Sequence, residues 1–135
     1  MGSDVILIDG LMWQKNEFEK QMNWYDSMDY AENLRLGGYD DWRLPTIKEL
    51  EDIVQSCGGI NIKLEDSNKL IYKNLENKSY QASYQKKGFY NKFYWSSTKT
   101  DNFCDAYIIL LSTGIILSTH KNGIDKYYTR CVRIN

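Results

Sequence analysis

The chain has a single proline and a single histidine in 135 residues, and only three cysteines. One histidine leaves little material for a histidine-based metal centre or a nucleophile and base pair. The cysteines, Cys57, Cys104 and Cys131, lack the paired CxxC spacing of a zinc site or a thioredoxin-like motif. They fit one disulfide plus a free thiol, or three buried thiols, so the redox compartment stays open. No apolar stretch approaches the roughly 20 residues of a membrane-spanning helix, and the longest, Ala106 to Leu111, is strand-sized. Nor is there an excess of one charge: 17 Lys+Arg face 18 Asp+Glu, for a net of −1. A generic nucleic-acid binder, expected to be strongly basic, is excluded on that ground. The opening Met1-Gly2-Ser3-Asp4 has neither the basic nor the apolar part of a signal peptide. Residues 1–3 read as a vector-derived leader, and residues 4–135 as one domain excised from a larger protein.

What is present is a chain of one-domain size, 42% hydrophobic and 14% aromatic. Its even charge balance hides an asymmetry. Residues 1–59 carry a net of −7, residues 60–100 a net of +5 and residues 101–135 a net of +1. The domain is electrically bipolar along its length.

The element order follows from pattern and turn chemistry. Val5 to Ile8 and Leu11 to Gln14 are short strand-like runs around Asp9-Gly10, a hairpin signal. Trp24, Met28, Ala31 and Leu34 fall on one face of a helix that predicts residues 24–36, with Gly37-Gly38 as its stop. Pro45 followed by Thr46-Ile47-Lys48-Glu49 matches a capping box, so a second helix is expected over Ile47 to Gln55, ending before Gly58-Gly59. Residues 60–93 are polar, rich in Asn, Lys and Tyr, and without sustained period, which reads as one long loop. Strand character returns at Phe93 to Thr98, Ala106 to Leu111, Ile115 to Ser118 and Tyr127 to Ile134. Strands, then helices, then strands imply an α+β fold with an antiparallel sheet.

Several of these segments occur together in a known bacterial family. Gly10-Leu11-Met12-Trp13-Gln14, Leu36 to Leu50 with its GGYDDWRLPTIKEL run, Tyr94-Trp95-Ser96-Ser97-Thr98 and Arg130-Cys131-Val132-Arg133 stand in the family's order over nearly the whole chain. The chain resembles the C-terminal domain of the Legionella collagen-like adhesin. The resemblance implies a C-type-lectin-like fold: two helices, a twisted antiparallel sheet whose N- and C-terminal strands lie together, and a long loop region. It also implies a cysteine in the first helix, at the position of Ala31, bridged to the one matching Cys131. With Ala31 here, Cys131 is left free or pairs with Cys57 or Cys104, and Cys104 is the favoured partner.

Within the motifs, Trp42 and Leu44 are expected to fill the core, Arg43 to pair with Asp41 or Glu49, and Pro45, Thr46 and Glu49 to set the helix start. Trp95, in strand alternation, is a core residue rather than a sugar platform. His120, in Thr119-His120-Lys121-Asn122-Gly123, reads as a solvated turn residue with no nucleophile or ligand set at suitable spacing. Ser96 and Ser97 lack a nucleophile elbow. Asp101, Asn102 and Asp105 match no EF-hand, and the EPN and WND triplets of calcium-dependent lectins are absent, so no metal and no cofactor are expected. The related formylglycine-generating modifiers need two neighbouring cysteines, which Cys131 lacks, so an enzyme is not expected either.

Recognition remains. The loop interleaves Tyr72, Tyr80, Tyr84, Tyr90 and Tyr94 with Lys63, Lys69, Lys73, Lys78, Lys86, Lys87 and Lys92. Tyrosine offers a flat apolar face with a polar tip, and lysine a charge for anionic groups. The candidate ligand-binding residues are Lys78, Tyr80, Tyr84, Lys86, Lys87, Tyr90, Lys92 and Lys99. The resemblance implies an adhesin-like domain of an exported or surface protein that recognises anionic glycans or a protein partner. The alternative is a structural or oligomerisation module, packing its aromatic loop on another copy.

Overall fold

The computed structural model describes residues 4–62, 67–124 and 126–135, with the side chains of residues 67–69 left aside. The proposed leader at 1–3 and Lys63 lie outside the described residues, as does the side chain of Lys69. The chain order is β1 (Val5–Ile8), β2 (Leu11–Gln14), α1 (Trp24–Asn33), α2 (Ile47–Ser56), α3 (Ser67–Leu75), α4 (Lys78–Lys86), β3 (Phe93–Lys99), β4 (Asp105–Leu110), β5 (Ile115–His120) and β6 (Val132–Ile134). The strands form two antiparallel sheets, ordered β1-β2-β6 and β3-β4-β5. The α+β class is therefore the one the sequence predicts, and the N- and C-terminal strands share a sheet.

Local chemistry accounts for the element ends. Asp9 and Gly10 both take positive φ, 50° and 86°, as a two-residue hairpin turn demands. Asn23 caps α1 by accepting from the Asp26 amide. The helix stops at Asn33, short of the predicted residue 36, because Leu34 is already extended. At α2 the capping box forms in full: Thr46 Oγ1 accepts from the Glu49 amide at 3.1 Å, and Glu49 Oε1 from the Thr46 amide at 2.9 Å. Between the offered partners, Arg43 takes Glu49, with two parallel bonds of 2.7 and 2.8 Å. Asp41 is used by Arg133 instead, at 2.6 Å.

Period-two alternation in the strands feeds two cores. Trp13, Tyr94, Ile109 and Val132 face one side and pack with Leu50, Ile53 and Val54 of α2 and Tyr80 and Tyr84 of α4. Their strand neighbours Met12, Trp95, Ile108 and Cys131 face the other and pack with Trp24 and Ala31 of α1, together with Trp42 and Leu44. Trp42, Leu44 and Trp95 are thus core residues, as expected. Ala31, where the resemblance implies a cysteine, shares its cluster with Cys131.

Three expectations need correction. First, residues 60–93 are not one loop, since α3 and α4 lie within them. Polar groups anchor them: Asn74 bonds both the amide and the carbonyl of Ile60 as well as Thr113 O, and Gln81 Nε2 bonds Asn74 O and Ser112 O. Second, the last strand is shorter than Tyr127 to Ile134, because residues 127 and 128 make single bridges to Met22 and Tyr94 before β6 begins. Third, Cys104 and Cys131 form no disulfide, and all three thiols are free. β4 has β3 and β5 as neighbours, whereas Cys131 hydrogen-bonds Gln14 of β2. Burial pushes the Cys131 thiol up to about 12.

Replacing Thr46 by Ala removes one half of the capping box and should lower unfolding free energy in urea by about 1 kcal/mol. Glu49 is held below the ordinary carboxylate value: burial pushes it up, but the bonds from Arg43 and the Thr46 amide outweigh that. A depressed folded pKa contributes stability that is present above the unfolded value of about 4.3 and is lost as pH falls through the folded value. Glu49→Gln should therefore lower stability at neutral pH and flatten its acid limb, as read by thermal melts between neutrality and low pH. With an aromatic disulfide reagent, the native protein should react at Cys104 alone, and Cys57 and Cys131 should follow only on unfolding. Cys104→Ser should remove the native reaction.

Candidate functional site

Two segments that flank β2 and β6 run side by side. The Phe18 amide bonds Thr129 O at 2.9 Å, and Met22 and Tyr127 exchange bonds of 2.9 and 3.0 Å. The start of β3 joins them, with the Tyr128 amide on Phe93 O and the Trp95 amide on Tyr128 O, both at 3.0 Å. Where the three meet, Gln21, Asn91, Lys92, Phe93, Leu110, Lys126, Tyr127 and Tyr128 line an open groove of about 480 Å³. Its chemistry is mixed. Ring faces offer apolar contact, two amides offer donors and acceptors, and two ammonium groups attract anions.

The electrostatics of the groove centre on Lys92. Its ammonium lies 3.0 Å from Glu17 Oε2 and 4.2 Å over the Tyr128 ring. Glu17 is nearly buried, its side chain 6% exposed, and it also accepts from the Tyr94 hydroxyl. Burial alone would lower the pKa of Lys92, but Glu17 more than offsets this and raises it. Burial and the Glu17 carboxylate together push the Tyr94 phenol well up, which keeps it a neutral donor. Tyr94 in turn accepts from the Tyr90 amide at 2.9 Å, which fixes the backbone one residue before the groove-lining Asn91. Beneath lies Arg130, whose Nε bonds Gln14 O at 2.7 Å and whose guanidinium stacks 4.1 Å over Phe89.

Of the eight residues singled out from sequence, Lys92 lines this groove, and Tyr90 lies beside it with its ring 5.1 Å from the Lys92 ammonium. Lys86 and Lys87 close the C-terminal end of α4, where helix carbonyls favour cations. Lys78 opens the same helix, about 12 Å away along its axis. Lys99 ends β3, about 20 Å from Lys92 along an extended chain, and stands 6.0 Å over Trp24. Tyr80 and Tyr84 are corrected outright: both are fully buried, so neither can meet a ligand. Tyr80 OH bonds Leu111 O at 2.5 Å, Tyr84 OH bonds Gln81 Oε1 at 2.6 Å, and burial raises the pKa of both phenols. The sequence signal was their i, i+4 spacing, which puts two rings on one helix face turned to the core.

The groove residues Gln21, Lys126, Tyr127 and Tyr128 escaped sequence reading because they lie far from Lys92 in the chain and are joined to it only by backbone pairing. The same applies at the far end of β4. There, pairing of Asp105 with His120 brings His120 Nδ1 within 3.4 Å of Asp105 Oδ1, and His120 ends a strand rather than sitting in a turn. Asn102 caps its own turn, accepting from the Cys104 amide. Among the described residues, no group of three His, Cys, Asp or Glu side chains is gathered to hold a metal ion.

No curated protein matches the chain. The Lcl C-terminal domain family, in contrast, matches residues 7–133, a span that takes in both sheets from within β1 to within β6, all four helices and every groove residue. The chain belongs to the Lcl C-terminal domain family.

Proposed function

We propose that this is a non-catalytic, lectin-like recognition domain of an exported or surface bacterial protein, and that the groove at the start of β3 holds an acidic glycan. One observation carries the reading: three ring-bearing residues, Phe93, Tyr127 and Tyr128, share a groove with two ammonium groups and two side-chain amides. Rings of this kind stack on the apolar faces of sugar rings, amides bond hydroxyls, and Lys126, the lysine not paired with Glu17, meets a sulfate or carboxylate group. Among the described residues, the titratable groups lining the groove are lysines and tyrosines, and the carboxylate beside them, Glu17, is taken up by Lys92 and the Tyr94 hydroxyl. Membership of the Lcl C-terminal domain family fits the adhesin context that the sequence resemblance implies.

Titration with a sulfated oligosaccharide at low and raised salt tests this. Lys126→Glu should weaken binding by about tenfold at low salt and by less at raised salt, because exposed charges are screened. Lys78→Glu, at the distant end of α4, should change affinity far less. Equal losses in the two variants would remove the groove from the reading, and no binding by the unaltered protein would remove the glycan.

A further inference from the structure

At the opposite end of β4 from the groove, a second depression of about 420 Å³ has Tyr25, Phe103, Cys104, His120, Lys121 and Asn122 in its lining. Lys121 is the unusual member. It is 5% exposed, yet no carboxylate lies within ion-pair distance of it among the described residues. Its ammonium donates to Phe103 O at 2.8 Å and lies 4.6 Å over the Trp24 ring, which leaves one of its three N–H donors unused among the described residues. The Trp24 indole N–H is already given to Ser96 O, and the nearest acid in the ladder, Asp105, faces His120 and Asn102. A buried cation without an anion is costly, and a carbonyl and a ring face offset only part of that cost.

The walls supply the other half of a site. Phe103 is 92% exposed and Tyr25 is exposed beside it, so two aromatic rings face water at the rim of a cavity that a buried cation lines. The volume falls within the range of small-molecule sites. We propose that this depression is a second binding site, for a small organic anion with a flat apolar body, such as an aryl carboxylate. The carboxylate meets the unused donor of Lys121, with His120 and Asn122 within the same lining, and the ring lies against Phe103 and Tyr25. The site shares no lining residue with the groove and does not depend on the glycan reading.

Cys104 makes the test specific, because it is the exposed thiol of the three and lines the depression. Benzoate should slow alkylation of Cys104 by the neutral reagent iodoacetamide, by about fivefold when present at four times its dissociation constant. Benzamide, which has the same shape without the charge, should not. Phe103→Ala should abolish the protection without disturbing the fold, since the ring is in water. Lys121→Gln should abolish it as well, and Lys126→Glu, in the groove, should leave it intact. Should Lys121→Gln fail to fold, the comparison of benzoate with benzamide on the unaltered protein decides the matter. No slowing by benzoate at tens of millimolar, equal slowing by benzamide, or protection that survives Phe103→Ala would each overturn the site.

Discussion

The extended segment from Tyr127 to Ile134 is bonded on both flanks, and the two sheets are tied together through it. Its first residues bond Met22 and β3, its middle bonds β2 through the exchange between Gln14 and Cys131, and Val132 bonds the Arg43 backbone at 3.0 and 2.9 Å. Arg130 sits at the centre of this seam, 1% exposed, with its charge resting on the carbonyls of Gln14 and Lys15 and on the face of Phe89. Burial pulls its pKa down to about 10, which still leaves it charged at neutrality. Neither Arg130 Nη1 nor Trp13 Nε1 has a protein acceptor among the described residues, so the seam is held at some cost in unsatisfied donors. Gly88 is required by the same crowding: at φ +88° it lies so close that a Cβ would stand 2.6 Å from Lys15 O and 3.1 Å from the guanidinium.

The parts of this fold that were legible in the sequence are those whose signals are local. A capping box, a two-residue hairpin turn and alternating apolar residues each depend on neighbours within a few positions, and each formed as expected at Thr46, Asp9-Gly10 and β3. The helices α3 and α4 were missed because their anchors are polar. Asn74 and Gln81 hold them by amide bonds to backbone carbonyls, and Tyr80 and Tyr84 provide the apolar surface, so no run of aliphatic residues marks a buried face. Tyrosine is ambiguous in sequence for a physical reason: its ring suits the core wherever its hydroxyl can find an acceptor. Here the Leu111 carbonyl and the Gln81 side chain are those acceptors.

The charge asymmetry was also legible, but its meaning changes in three dimensions. Among the described residues, the lysines of this basic segment do not make one patch. Lys78 and Lys99 stand at the remote ends of α4 and β3, while Lys92 draws its neighbours from other parts of the chain: Glu17 from after β2, and Tyr128 from before β6. A groove assembled this way has no linear signature, because backbone pairing decides which residues share it. Lys126, in the near-neutral segment 101–135, is one of its two cations.

That assembly bears on what kind of anion the proposed groove would favour. The charge of Lys92 is already matched by Glu17 at 3.0 Å, so among Glu17, Lys92 and Lys126 the net charge is that of one cation. A lone sulfate or phosphate would meet a single solvated ammonium, which is worth little in water at ordinary ionic strength. Displacing Glu17 from Lys92 would strand a nearly buried carboxylate, with the Tyr94 hydroxyl as its remaining partner among the described residues. A chain of repeated anionic units avoids both difficulties. It can stack one sugar on the rings, place one acidic group at Lys126, and reach other exposed lysines such as Lys86 with the next, so that each further contact forms at high effective concentration. On the proposed reading, the Glu17 to Lys92 pair therefore selects for polymeric over single anions, and it does so by removing a charge from the groove rather than by adding one.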